Sequence, residues 1–176
     1  TGTFSGAAGT RNTQTVVADK RAGRGGGTTY NVSRTFFSFD TSGISVAPTD
    51  ATLKIYGYFN TGADFFVVKS THTSISTADF NSIDGWSSGA DNSSNVTKYS
   101  SQVSTWNAFA YNSITLNSTA LNDIANNDTF KICLIEADFD LPNTAPSDTT
   151  VRRTGMSFAN DGSGNIRDPK IDYTVA

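Results

Sequence analysis

The sequence predicts an all-β fold: a two-sheet antiparallel β-sandwich, jelly-roll-like, of about eight strands with one long insertion and one short helix. Three observations predict it. Helix formers are scarce, with one Glu, one Met and six Lys in 176 residues. Ser, Thr, Asn and fifteen Gly supply the polar bulk, which suits short strands joined by tight turns. Residues 34–59 hold two alternating runs around a turn-rich loop. In Ala51-Thr-Leu-Lys-Ile-Tyr-Gly-Tyr-Phe59, Leu53, Ile55, Gly57 and Phe59 share one face; Lys54, Tyr56 and Tyr58 share the other. That is the period-two pattern of a half-buried strand. In Arg34-Thr-Phe-Phe-Ser-Phe-Asp40, Phe37 and Phe39 point one way and Phe36, Ser38 and Asp40 the other. Gly43, Pro48 and Asp50 set the turn between the two runs.

The remaining elements follow in chain order. Residues 1–12 are small and polar, and read as an N-terminal arm or linker. Residues 13–176 form a single β-sandwich domain. Residues 13–19 (Thr-Gln-Thr-Val-Val-Ala-Asp) are a first strand. A loop with Arg21, Arg24 and Gly25-Gly-Gly27 leads to Tyr30-Asn-Val32 and the organising pair. Phe65-Phe-Val-Val-Lys69 is a short apolar strand. Residues 70–112 form the insertion, long for a loop without structure of its own. Ser76 and Asp79 have the spacing that caps one helical turn, with Phe80 and Ile83 as its anchors. Trp86, Tyr99, Trp106, Phe109 and Tyr111 punctuate the insertion and are expected to pin it by aromatic burial. Residues 113–116 are a strand. Residues 118–127 read as a short helix, with Ser118 as cap and Leu121, Ile124 and Ala125 on one face. Phe130-Lys-Ile-Cys-Leu-Ile-Glu136 is a central strand. An acidic loop bearing Pro142 and Pro146 follows. Residues 153–159 and Lys170-Ile-Asp-Tyr-Thr-Val175 close the count. Twelve Phe supply ample driving force, at about 1.5–3 kcal/mol for each large apolar side chain buried.

Composition excludes several function classes. No apolar run approaches the ~20 residues of a membrane-spanning helix. A net charge of −3 and a pI of about 4.9 argue against a nucleic-acid binder, which needs a positive footprint for phosphates. One cysteine, Cys133, rules out an intramolecular disulfide framework; inside an apolar strand it reads as a core residue rather than a nucleophile. The chain starts at Thr1, with neither an initiator Met nor a leader, and reads as a processed or excised piece.

The run Arg34-Thr-Phe-Phe-Ser-Phe-Asp40, then Gly43-Ile44 and Ala51-Thr-Leu-Lys-Ile-Tyr56, resembles the disaggregatase-related (DNRLRE) β-sandwich modules. Those modules show an Arg-x-x-x-x-Phe-Asp strand, a short turn and Ala-x-Leu-x-Ile/Leu-Tyr. Their closing Pro, aliphatic and Tyr are similar to Asp168-Pro-Lys-Ile-Asp-Tyr173. The resemblance implies a jelly-roll-like module with no catalysis of its own. It implies attachment to secreted polysaccharide-active or cell-surface proteins, or a place on phage capsids or tails. No site residue is carried over from it.

Each reactive constellation has a bland competitor. His72 is the sole histidine, so a Ser-His-Asp triad must use it, yet no Gly-x-Ser-x-Gly elbow is present. A Cys133–His72 dyad conflicts with a buried cysteine, and one Cys with one His makes zinc a poor fit. Glu136, Asp138 and Asp140 recur at alternate positions, so a strand continuing that far would align them as glycosidase acids; a solvated rim is the competing reading. Calcium is the cofactor that oxygen-rich loops suit, with Asp138, Asp140, Asp148 and Asp161 as ligands. Otherwise no cofactor is expected. Lys20, Arg21 and Arg24 lack the Gly-Lys-Ser/Thr of a P-loop and read as a mobile arm or as contacts to an acidic neighbouring subunit. Trp86, Trp106, Tyr56, Tyr58 and Tyr99 are the candidates for stacking sugar rings. Tyr56 and Tyr58 compete with a second role, lying under the insertion. Sequons at Asn31, Asn92, Asn95, Asn117 and Asn127 follow from composition.

The sequence thus leads to a non-enzymatic structural or docking module on an extracellular particle. A phage virion surface protein of capsid-decoration or tail type is the first expectation, as a homo-oligomer contacting neighbouring subunits. A carbohydrate-binding module of a secreted polysaccharide-active protein is the alternative, and a glycosidase or lyase the third.

Overall fold

A computed structural model describes residues 2–3, 13–22, 28–73, 75–147, 151–157 and 166–175. The described strands are β1 (Gly2–Thr3), β2 (Thr13–Ala22), β3 (Thr28–Ser33), β4 (Thr35–Asp40), β5 (Asp50–Asn60), β6 (Phe65–Lys69), β7 (Tyr111–Thr115), β8 (Thr129–Glu136), β9 (Arg153–Ser157) and β10 (Lys170–Thr174). Two helical pieces join them: a 3-10 turn at Thr77–Asn81 and α1 at Ser118–Asn126.

The strands form two antiparallel sheets. One has the order β1-β4-β8-β6; the other has the order β10-β5-β9-β2-β3, with β7 also on β5. From β3 to β9 the chain steps from sheet to sheet, the connectivity of jelly-roll sandwiches. Two described strands go beyond the sequence count: β3, half read from Tyr30-Asn-Val32, and the two-residue β1. In β1, Gly2 and Thr3, within the segment read as an arm, pair with Phe39 and Ser38.

Alternation along β4 and β5 produces two apolar layers. Phe37, Phe39, Leu53 and Ile55 face into the sandwich with Phe65, Val67, Phe130, Ile132, Leu134 and Met156. Phe36, on the opposite face of β4, joins Val68, Ile83, Val96, Cys133, Ile135 and Leu141 in a second cluster under the insertion. The first sheet is therefore buried on both faces, which is why β8 reads as continuously apolar from Ile132 to Ile135.

The insertion also closes a sheet edge. Tyr99 N–H donates to Val67 O, Phe65 and Val103 exchange both backbone bonds, and Lys69 N–H donates to Thr97 O. Residues 97–103 thus satisfy the outer backbone groups of β6 without regular strand geometry. The Ser76/Asp79 capping box is formed, and Ile83 is buried behind it. α1 starts one residue earlier than its sequence suggests. Asn117, not Ser118, is the cap, its side chain accepting from Ala120 N–H, and Ala120 and Ile124 are its buried residues.

Candidate surface site on the outer face of β5

Two of the aromatic candidates are core. Trp106 is buried, its Nε1 donating to Gly155 O at 3.1 Å and its ring edge-on to Phe65. Tyr99 is buried, stacked on Phe130 with centroids 5.0 Å apart. Its hydroxyl donates to Asp123, and burial together with that carboxylate pushes the phenol far above its ordinary pKa. Neither ring can stack a sugar. These corrections share one cause: the insertion, rich in Ser and Asn, needs large rings to fasten it, and Tyr99 and Trp106 serve there.

Trp86 is half-buried, with the Arg34 guanidinium 4.0 Å from its ring centroid. The opposite neighbour of that guanidinium is Phe80, at 4.2 Å. Arg34 is itself buried. Its Nε and Nη2 donate to the two oxygens of Asp140, each at 2.7 Å, and its Nη1 donates to Phe80 O and Asn81 Oδ1. This cluster ties the strand crossing before β4 to the loop after β8 and to the 3-10 turn. It occupies Trp86 and both carboxylate oxygens of Asp140, which corrects the use of either for a glycan or calcium.

The other acids part company as well. β8 ends at Glu136, so Glu136, Asp138 and Asp140 do not share a strand face. Glu136 is fully buried, and its Oε2 accepts the N–H groups of Phe139 and Asp140 at the turn. Burial raises its pKa despite those donors. Asp138 is exposed. Partial desolvation of its carboxylate, then the nearby Asp64, raises its pKa too. Asp148 and Asp161 lie outside the described residues, and among the described residues no cluster of three His, Cys, Asp or Glu side chains forms.

His72 is buried between two serines. Ser70 Oγ donates to Ser82 O, so it accepts from His72 Nδ1 at 2.7 Å, and Ser38 Oγ lies 2.8 Å from Nε2. The imidazole is orientated by hydroxyls rather than a carboxylate. Burial, then Lys131, holds its pKa below the ordinary value. Cys133 is fully buried, and burial drives its thiol pKa up, away from nucleophilic use.

Tyr56 and Tyr58 remain, on the outer face of β5 as their alternation requires. They meet the end of the insertion there. Tyr58 lies edge-on to Phe109 with centroids 5.9 Å apart, and Tyr56 edge-on to Tyr111 at 5.5 Å. Tyr56 Oη donates to Phe109 O, and Tyr111 Oη to the carbonyls of Ile166 and Asp168. Arg167 stands 5.1 Å over the Tyr56 ring and Lys170 5.5 Å over that of Tyr111. The insertion thus covers this pair only in part: Tyr58 is 42% exposed, Phe109 69% and Ile166 68%.

Phe109 is the residue that sequence reasoning missed, having been placed among the buried anchors of the insertion. Its φ is +61°, a left-handed conformation that costs a bulky residue about 1–3 kcal/mol. Its surroundings impose it. Phe109 N–H donates to Gly57 O, and Gly57 N–H to Ala110 O, both at 2.8 Å. Asn112, buried, accepts from Asn107 N–H and donates to the carbonyls of Asn107 and Ala110. Gly57 permits the approach: a Cβ there would lie 2.0 Å from Asn107 O. The result is an exposed pair of touching rings, Tyr58 and Phe109, next to the Tyr56–Tyr111 pair and its two cations. No family model matches the chain, and no curated protein matches it.

Proposed function

We propose that the chain is a non-enzymatic docking module of an extracellular particle, a virion surface protein of capsid-decoration or tail type. The observation that carries the docking part is Phe109. A protein gains nothing for its own core by holding a bulky ring in a strained conformation with two thirds of its surface in water. The hydrogen bonds to Gly57 and within the Asn112 loop hold that conformation, and the ring that they turn outward is buried only when a partner covers it. Two exposed rings in contact are the kind of apolar surface that a partner covers. The DNRLRE-like motifs support the particle setting. The dispersal of Glu136, Asp138 and Asp140, and the enclosure of His72 and Cys133, support a role without chemistry.

Electron microscopy of purified particles, with the chain labelled, tests this reading. Regular occupancy of the particle surface is expected, and its loss with Phe109→Ser while the fold is retained. Particles without the chain would end the reading.

A second reading, carbohydrate binding, is favoured by the same rings. Tyr58 and Phe109 present π-surfaces, and Arg167 and Lys170, over Tyr56 and Tyr111, add charge. On this reading the platform is Tyr58 and Phe109, not Trp86, Trp106 and Tyr99. Isothermal titration against soluble polysaccharides decides it: flat isotherms for neutral and acidic polymers alike remove it.

A further inference from the structure

We infer that the partner received by the outer face of β5 is an acidic protein segment whose carboxylates flank an apolar side chain. This rests on the docking reading and names the chemistry of the partner. The ring-bearing part of the face is cationic, in a chain of net charge −3. Lys54 lies on it by the same alternation that places Tyr56 and Tyr58 there. Lys170 of β10 is the residue directly opposite Lys54. Like charges that face each other across a strand pair work against the pairing. Lys54 reaches to the other side instead, its Nζ donating to Ser113 Oγ at 2.7 Å. Arg167 adds a third cation, over the Tyr56 ring.

The counter-charge is thin. Lys170 Nζ stands 4.0 Å from Asp172, with both side chains more than half exposed. Among the described residues neither Lys54 nor Arg167 meets a carboxylate. The acids of this face, Asp50 and Asp172, sit beside the start of β5, away from the rings. Charge therefore changes sign along the strand, and the cations are the groups next to Tyr58 and Phe109. They favour a partner whose carboxylates lie beside its apolar contact.

Ring geometry selects a protein over a sugar. The planes of Tyr58 and Phe109 meet at 66° and those of Tyr56 and Tyr111 at 89°. Rings so inclined present a notch, not the single plane on which a pyranose stacks. One apolar side chain seated in the notch covers both exposed rings, as aromatic anchors are covered at protein interfaces. The strand sets the spacing. Lys54 and Tyr58 are four residues apart on β5, about 14 Å at about 3.4 Å per residue, with Tyr56 and Arg167 between them. An extended segment with acids two and four residues from its apolar side chain matches that spacing.

Selection of short random peptides on the immobilised full chain tests it, with polygalacturonate as the glycan arm. Enrichment of peptides in which Asp or Glu flank an aromatic or branched apolar residue is expected. Once synthesised, they are expected to bind in about 50 mM salt and to lose at least tenfold in about 0.5 M salt, as screening shortens the reach of the charges. Lys54→Glu with Lys170→Glu is expected to weaken them at least tenfold, with circular dichroism showing that β structure survives. Arg167→Glu, outside the strands, gives the same answer should the double variant fail to fold. Selected peptides without carboxylates overturn the inference, as do peptides that bind the charge-reversed chain equally well. Binding of polygalacturonate with no peptide enriched also overturns it and gives the face to an acidic glycan. No particle is used, so particles without the chain would leave a positive selection standing. Peptides that are apolar but uncharged, and lost with Phe109→Ser, would sink this inference and leave the docking reading in place.

Discussion

Gly57→Ala separates a designed close approach from an incidental one. The added Cβ would lie 2.0 Å from Asn107 O and 2.9 Å from both Asn112 Nδ2 and Trp106 Nε1. The nearest of these is a backbone atom held by the Asn112 side chain, so it cannot swing aside as a flexible side chain would. The loop ahead of β7 must lift from β5. Lifting breaks Gly57 N–H to Ala110 O, Phe109 N–H to Gly57 O, and Trp106 Nε1 to Gly155 O. At about 1 kcal/mol net for each bond, the loss is about 3 kcal/mol before any exposure of the Trp106 ring. For a domain of this size each kcal/mol lowers Tm by about 2–4 °C, so a fall of about 6–12 °C is expected. Urea unfolding followed by tryptophan fluorescence gives the free energy directly. Gly43→Ala is the control: a Cβ there meets nothing within 4 Å. Its expected change is nil or slightly stabilising through the unfolded chain. A Gly57→Ala loss under about 0.5 kcal/mol, a surface-like value, would refute the packing argument for the Phe109 loop.

Three further outcomes follow from the buried polar groups. Asp140→Ala strands the Arg34 guanidinium, whose side chain is 2% exposed, and is expected to cost about 3–5 kcal/mol in urea unfolding; Arg34→Met with Asp140→Leu, which removes both charges, costs clearly less. Glu136 has a raised folded pKa, so its contribution is full below the unfolded value near about 4.3 and is lost as pH rises through the folded one. Glu136→Gln therefore gains on the parent as pH rises from about 4 to 7, and parallel stability curves would contradict the burial argument. His72 has a lowered folded pKa, so its contribution is full above the ordinary 6.5 and is lost as pH falls. His72→Gln is expected to flatten the decline between about pH 6.5 and 5, seen as the difference between the two unfolding midpoints.

What the sequence disclosed, and what it did not, divides along a physical line. β4 and β5 were legible because alternation alone decides which side chains a pleated strand buries. The Ser76/Asp79 cap was legible because its partners are three residues apart. Tyr99, Trp106 and Phe109 were not separable: all are aromatic residues in a polar stretch, and which of them is buried depends on contacts with Phe130, Gly155 and Gly57, far away in sequence. The acidic series failed for a local reason. Strand alternation stops at Glu136, where the chain turns and Glu136 itself accepts the turn's N–H groups.

Gly57 shows how one residue serves both levels. On β5 it occupies an inward position between Ile55 and Phe59, where a larger side chain would be expected to contribute to the core. The absence of a side chain there instead admits Asn107, lets Trp106 reach Gly155, and fixes the backbone that turns Phe109 outward. A glycine in a strand otherwise weakens it. β5 bears that weakness at its centre, beside a break in its register with β9. The patch on the outer face is thus coupled to the inner face through a single missing methyl, and stability and recognition are expected to fall together when it is supplied.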